Sequence, residues 1–160
     1  MPHMARSSSR SAIHLDDVSR RIIEQLQQDG RRSYAAIGKE VGLSEAAVRQ
    51  RVQKLIDGGV MQVVAVTDPM QLGFARQAMV GVRTTGALEE VAAKLAEFEE
   101  VDYVVITAGS FDLLVEIVCP GDDELLELLS GRIRQVEGVV STETFVYLKL
   151  VKQTYSWGTH

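Results

Sequence analysis

The chain has 160 residues, enough for one ordinary domain or two small ones, and its 46% hydrophobic content excludes general disorder. The formal net charge of -5 taken whole argues against a nucleic-acid partner. The charge is unevenly placed, however: residues 1–63 carry ten Lys/Arg against seven Asp/Glu (net +3), and residues 64–160 carry seven against fifteen (net -8), so one end can meet a polyanion while the other repels it.

The opening MPHMARSSSRSAIH has arginines and serines but no apolar stretch of the secretory kind, and residues 1–12 are expected to form a flexible arm. No apolar run approaches the ~20 residues of a membrane span, so a cytoplasmic protein is expected, with no membrane partner. A single cysteine, Cys119, rules out an internal disulfide framework and a cysteine-based zinc site. No metal or other cofactor is expected.

Residues 13–67 read as a winged helix-turn-helix. Leu15, Val18, Ile22 and Leu26 recur on one face of a first helix, capped by Asp16 or Asp17 and stopped at Asp29-Gly30. Ser33 caps a short second helix with Ile37 and Val41 inward. Gly42 permits a sharp turn, Ser44 caps a third helix, and Gly58-Gly59 ends it. On that third helix Val48, Val52 and Leu55 form the core stripe, Ala46, Arg49, Gln50 and Gln53 lie opposite, and Ala47 and Lys54 flank them.

The outward face suits a DNA major groove. Small residues let the backbone approach, arginine can pair with guanine and glutamine with adenine. Ser44 at the helix N-terminus can hold a phosphate. Glu45 complements the helix dipole, and Arg51, beside the core stripe, is expected in a structural ion pair. The β-branched run Val60–Thr67 is expected to form the wing or a strand that pairs elsewhere.

Residues 68–77, with Asp68-Pro69 and Gly73, read as a linker. Beyond it, residues 78–153 give strands Ala78–Thr84, Val101–Ala108, Asp112–Cys119 and Thr142–Lys152. Helices are expected over Ala87–Glu100 and from Asp122 or Asp123 to Gly138. The order βαββαβ predicts a ferredoxin-like sheet with both helices on one side, in an α+β chain, followed by a tail over 154–160. Strands two and four are apolar on both alternating sets, Val104 and Ile106 against Tyr103 and Val105 for example. Two helices cover one face only, so a second copy of the chain is expected on the other.

Between strands two and three lies Gly109-Ser110-Phe111-Asp112. It reads either as a plain hairpin turn, with Gly109 supplying unusual dihedrals, or as a ligand loop. In the second reading, N–H groups near Gly109 and Ser110 hold a carboxylate and Asp112 an ammonium.

Together these pieces resemble the Lrp/AsnC family of transcriptional regulators over about residues 14–153. The matching segments are LDDVSRRIIEQLQQDGR, IGKEVGLSEAAVRQRVQKLIDGGV, ITAGSFDLLV and GVVSTETFVYLKLVK. The resemblance implies a regulator that binds double-stranded operator DNA. It also implies an amino-acid effector held by Gly109, Ser110, Phe111 and Asp112, with Ser141, Thr142 and Thr144 from the last strand. Homodimers assembling to octamers are implied as well. Some members of the family have no known effector, which leaves open an architectural regulator that responds to none. Enzyme chemistry is not expected: the histidines, His3, His14 and His160, sit near the ends, and neither a GxGxxG nor a Walker loop occurs. An RNA-binding sheet is disfavoured because this half is acidic and lacks the basic aromatic signature.

Overall fold

The computed structural model describes residues 15–154, 158 and 159. The arm expected over residues 1–12, most of the tail and all three histidines lie outside them. The chain forms two compact units: Met1–Ala65 with Gln153–His160, and Val66–Lys152.

The first unit holds three helices, α1 (Asp17–Gln28), α2 (Tyr34–Val41) and α3 (Glu45–Asp57). Each starts at a side-chain cap that satisfies an amide otherwise left without a partner. Asp16 accepts from the Ser19 N–H at 2.8 Å, Ser33 from Ala36 at 3.3 Å and Ser44 from Ala47 at 3.2 Å. Gly42 ends α2 in the left-handed region at φ 75°, which a side chain rarely adopts, and this sets the turn into α3. Ile22, Ile37, Val41, Val48 and Val52 form the core, with Val18, Leu26 and Tyr34 partly buried around it.

The run Val60–Thr67 departs from expectation. It forms no strand, and no hairpin wing follows α3 among the described residues. A strand needs a partner for its N–H and C=O groups. The run has no ladder partner, and Val63, Val64 and Val66 are exposed.

In the second unit Asp68 caps a short 3-10 turn, Pro69–Leu72, within the expected linker. Then come β1 (Arg76–Thr84), α4 (Leu88–Leu95), β2 (Val101–Ile106), β3 (Leu113–Cys119), α5 (Asp122–Glu127) and β4 (Val139–Val146). The sheet is antiparallel in the order β2-β3-β1-β4, the ferredoxin-like arrangement. Ala78, Val80 and Val82 of β1 and Leu113, Val115 and Ile117 of β3 point to one face, where they bury Val91 and Leu95 of α4 and Leu125, Leu128 and Ile133.

The boundaries differ from expectation at several places, β2 ending at Ile106 and β3 starting at Leu113 among them. β1 begins two residues earlier, paired from Arg76 with Cys119. α4 stops at Leu95, and the following turns let Phe98 pack against the core before Val101 enters the sheet. α5 is capped by neither Asp122 nor Asp123; Gly121 precedes it without a side-chain bond. Its α-geometry gives way to a π-type turn at Leu128–Arg132. Leu125 and Ile133 are buried and Leu129 and Val136 pack against the core as expected, and Leu128 is buried beside them. β4 starts three residues earlier and ends at Val146, not Lys152, leaving Leu148, Leu150 and Val151 exposed.

The face of the sheet away from the helices carries Met79, Leu114, Val118, Tyr103 and Phe145. Tyr103 is 52% and Phe145 45% exposed. Polar groups interrupt this face: Gln77 donates to Glu116 at 3.1 Å and the Tyr147 hydroxyl donates to the same carboxylate at 3.0 Å. Burial and that carboxylate together push the Tyr147 phenol up to about 12.

Candidate functional site

Two sets of residues can do chemistry, one in each unit. In the first, the buried Val48, Val52 and Leu55 turn the opposite side of α3 to solvent. Ser44, Ala46, Arg49, Gln50, Gln53 and Lys54 are all exposed and Ala47 is half-buried at their edge. Ala46, Arg49, Gln50, Gln53 and Lys54 line one open concavity with Asp57 and Gly58.

Arg49 is held in place while exposed. Its guanidinium pairs with Glu45 at 2.7 Å and lies 5.2 Å from the centre of the Tyr34 ring. Gln53 donates to Asp57 at 2.7 Å. Gln50 and Lys54 make no side-chain bond among the described residues. Arg51 is otherwise employed, as expected: it pairs with Asp16 at 2.7 Å and donates to the Ser19 hydroxyl at 3.1 Å, tying α3 to the start of α1. Hydrogen bonds from Ser19, then Arg51, hold the Asp16 carboxyl well below the usual carboxylate range.

In the second unit the β2–β3 hairpin is fastened at both sides. Thr107 N–H donates to the Asp112 carbonyl at 2.9 Å, and Asp112 N–H donates to the Val82 carbonyl at 3.0 Å. The Asp112 carboxylate accepts the Thr84 N–H at 2.7 Å and is 3.4 Å from the Thr84 hydroxyl. Asp112 therefore tethers the hairpin to β1. Phe111 folds back over Gly81, where a Cβ would stand 2.7 Å from the ring; only glycine leaves that bed open. The Phe111 ring meets Phe145 edge to face at 6.2 Å, and the Arg83 guanidinium lies 5.1 Å from its centre. Arg83 Nε also donates to the Ser110 carbonyl at 2.9 Å.

Residues 15–56 match the AsnC-type helix-turn-helix domain, and residues 77–157 match the Lrp/AsnC ligand binding domain. The chain belongs to the Lrp/AsnC family. It is 35% identical to an uncharacterized HTH-type transcriptional regulator of Pyrococcus furiosus, across 89% of this chain and 97% of that one. It is similar to the leucine response regulatory protein LrpA of Mycobacterium tuberculosis, with a TM-score of 0.82, 27% identity and coverage of 91% of this chain and 100% of that one. A transcriptional regulator of Neisseria meningitidis, solved as a complex with L-Met, shares the fold: TM-score 0.78, 24% identity, 89% of this chain and 96% of that one. The family and the matched relatives are transcriptional regulators, not enzymes. No helix among the described residues is long and apolar enough to cross a membrane.

Within this Lrp/AsnC chain the expected site residues are only partly gathered. Gly109, Ser110, Phe111 and Asp112 form one loop. Gly109, expected to supply unusual dihedrals in the plain-turn reading, has no positive φ, and its surroundings are open. Ser141 pairs with Arg83 in register and shares its face. Thr142 and Thr144 pair with Val82 and Val80 and so face the helices; Thr142 accepts from Arg134 there at 2.9 Å. The β4 residues that share the hairpin's face are Ser141, Glu143 and Phe145. Sequence reasoning missed Tyr34 and Asp57 beside the outward face of α3, and Gly81, Arg83 and Thr84 beneath the hairpin. Gly81 and Arg83 alternate with the buried Val80 and Val82, a signal legible only once β1 is known to lie beside β3.

Proposed function

We propose that this helix-turn-helix regulator reads operator DNA through Ala46, Ala47, Arg49, Gln50, Gln53 and Lys54, with Ser44 and the α3 N-terminus on a phosphate, and that an amino acid bound at the hairpin modulates it. The observation that carries the reading is the outward face of α3, where short side chains precede Arg49 and Gln50 and every apolar residue of the stripe is turned inward. Phosphate contacts supply sequence-independent affinity, while bidentate base contacts supply discrimination. The homodimer is supported by the open sheet face with Tyr103 and Phe145 exposed, and by the unpaired apolar runs at Val63–Val66 and Leu148–Val151. A two-fold protein places two reading helices on a pseudo-palindrome. Assembly to octamers follows from the family resemblance, as does the amino-acid effector; a fold neighbour binds L-Met.

Selection of bound sequences from random duplex DNA, followed by titration at moderate salt, tests the DNA reading. An enriched, roughly palindromic motif is the expected result. Equal retention of all sequences refutes base recognition. Sedimentation at micromolar concentration tests the assembly, and a single-subunit mass refutes it.

A further inference from the structure

Arg49 meets two side chains, and they engage different parts of its guanidinium. Glu45 accepts an N–H from a terminal nitrogen at 2.7 Å, at the edge that a base would also need. Tyr34 meets the guanidinium from the side of the ring face, 5.2 Å from the ring centre, within the range of a cation–π contact. A stacked guanidinium keeps its N–H groups in their own plane, free to donate. The carboxylate therefore competes with a base for Arg49, and the ring does not.

The ring is itself fixed. Tyr34 opens α2 and is partly buried, packed against the core of Ile22, Ile37, Val41, Val48 and Val52. The turn that brings α2 beside α3 is tightly set. Leu43 N–H donates to the Gly38 carbonyl at 2.9 Å, and a Cβ at Gly38 would stand 2.5 Å from the Leu43 carbonyl oxygen, so only glycine allows that approach. A long side chain loses rotamer freedom when it is ordered, and ordering it in the free protein lowers that cost on binding.

We propose that Tyr34 is a positioning residue for base recognition: its ring holds the Arg49 guanidinium by the face, so that the N–H edge meets a base already ordered. This rests on the proposed DNA reading and adds to it a residue of α2 that acts through Arg49. A tyrosine that only filled space at the edge of the core would affect stability, and its loss would not change which sequence is preferred.

Fluorescence anisotropy of the full chain, with the selected duplex and with a scrambled one, reads the assignment as a ratio of affinities. Tyr34→Leu keeps an apolar side chain against the core but has no ring, and is expected to lower the ratio by about 2- to 5-fold for each reading helix engaged. Tyr34→Phe keeps the ring and is expected to keep most of the ratio. In an Arg49→Ala background Tyr34→Leu is expected to change the ratio no further, because the two residues act as one. A Tyr34→Leu protein with the full ratio, a Tyr34→Phe protein as impaired as Tyr34→Leu, or an equal loss in the Arg49→Ala background overturns the assignment while the DNA reading stands. A second measurement needs no variant. In the nuclear magnetic resonance spectrum of the free protein, the Arg49 δ-methylene and Nε–H protons are expected upfield of ordinary arginine positions through the ring current of Tyr34, and unshifted positions overturn the assignment. If the chain prefers no sequence over scrambled DNA, the DNA reading falls and the assignment falls with it.

Discussion

Replacing Arg49 by alanine tests the DNA-reading face most directly, because the structure supplies both sides of the balance. In the free protein Arg49 pairs with Glu45 at 2.7 Å, with both side chains more than half exposed (65% and 53%). An exposed pair four residues apart on a helix contributes only about 0.3–0.5 kcal/mol. A bidentate contact to a guanine edge contributes about 1–3 kcal/mol of discrimination. On the proposed reading the contact outweighs the pair, so Arg49 is expected to leave Glu45 when DNA arrives. Arg49→Ala should then weaken binding to the selected sequence by about 5- to 150-fold for each reading helix engaged. Binding to scrambled DNA, which depends on phosphates, should weaken much less. Glu45→Gln removes the competitor and should tighten selected-sequence binding by about twofold per helix. Fluorescence anisotropy with selected and scrambled duplexes, at two salt concentrations, measures all of this. If Arg49→Ala weakens both duplexes by the same factor, Arg49 touches phosphate and the base-reading argument is wrong. If Glu45→Gln weakens binding, the pair serves to aim Arg49 and the competition argument is wrong.

Three further outcomes are expected. Gly81→Ala places a Cβ against the body of the Phe111 ring, and overpacking of this kind costs about 1–3 kcal/mol; denaturant unfolding should show a loss of stability with helix-turn-helix DNA affinity retained. Asp112→Ala removes the acceptor of the Thr84 N–H and should cost about 1–3 kcal/mol, because an amide is left without its partner; Asp112→Asn, which keeps an acceptor oxygen, should recover most of that stability in the same unfolding assay. Tyr147 ionises near 12 in the folded chain against an ordinary 10. The raised value means that its contribution is intact below pH 10 and is lost as pH rises from about 10 to about 12. Tyr147→Phe should therefore flatten the pH dependence of the melting temperature in that window and remove a phenol that titrates near 12 from the ultraviolet titration. An unchanged profile would show that Glu116 and burial do not act on Tyr147 as described.

Local chemistry wrote much of this protein into its sequence. Asp16, Ser33 and Ser44 are caps because a short side-chain oxygen can satisfy a first-turn amide from that position alone. Gly42 turns the chain because a left-handed residue is needed there, and the Val48–Val52–Leu55 stripe fixed which side of α3 faces out. The order of strands and helices followed from changes in hydrophobic period. Features made by pairing between distant segments were not legible. Val60–Thr67 has strand composition but forms no strand, since composition does not supply a neighbouring strand to pair with. The π-type turn at Leu128–Arg132 and the burial of Leu128 beside Leu125 and Ile133 were not legible either. Whether Thr142 or Ser141 meets the hairpin depends on one residue of register, and a one-residue slip moves every side chain to the other face. The ladder between β1 and β4 decided that, and with it placed Arg83, Ser141 and Glu143 beside Phe111. Spacing along a chain determines a helix and its caps; proximity across a sheet exists only after the strands have met.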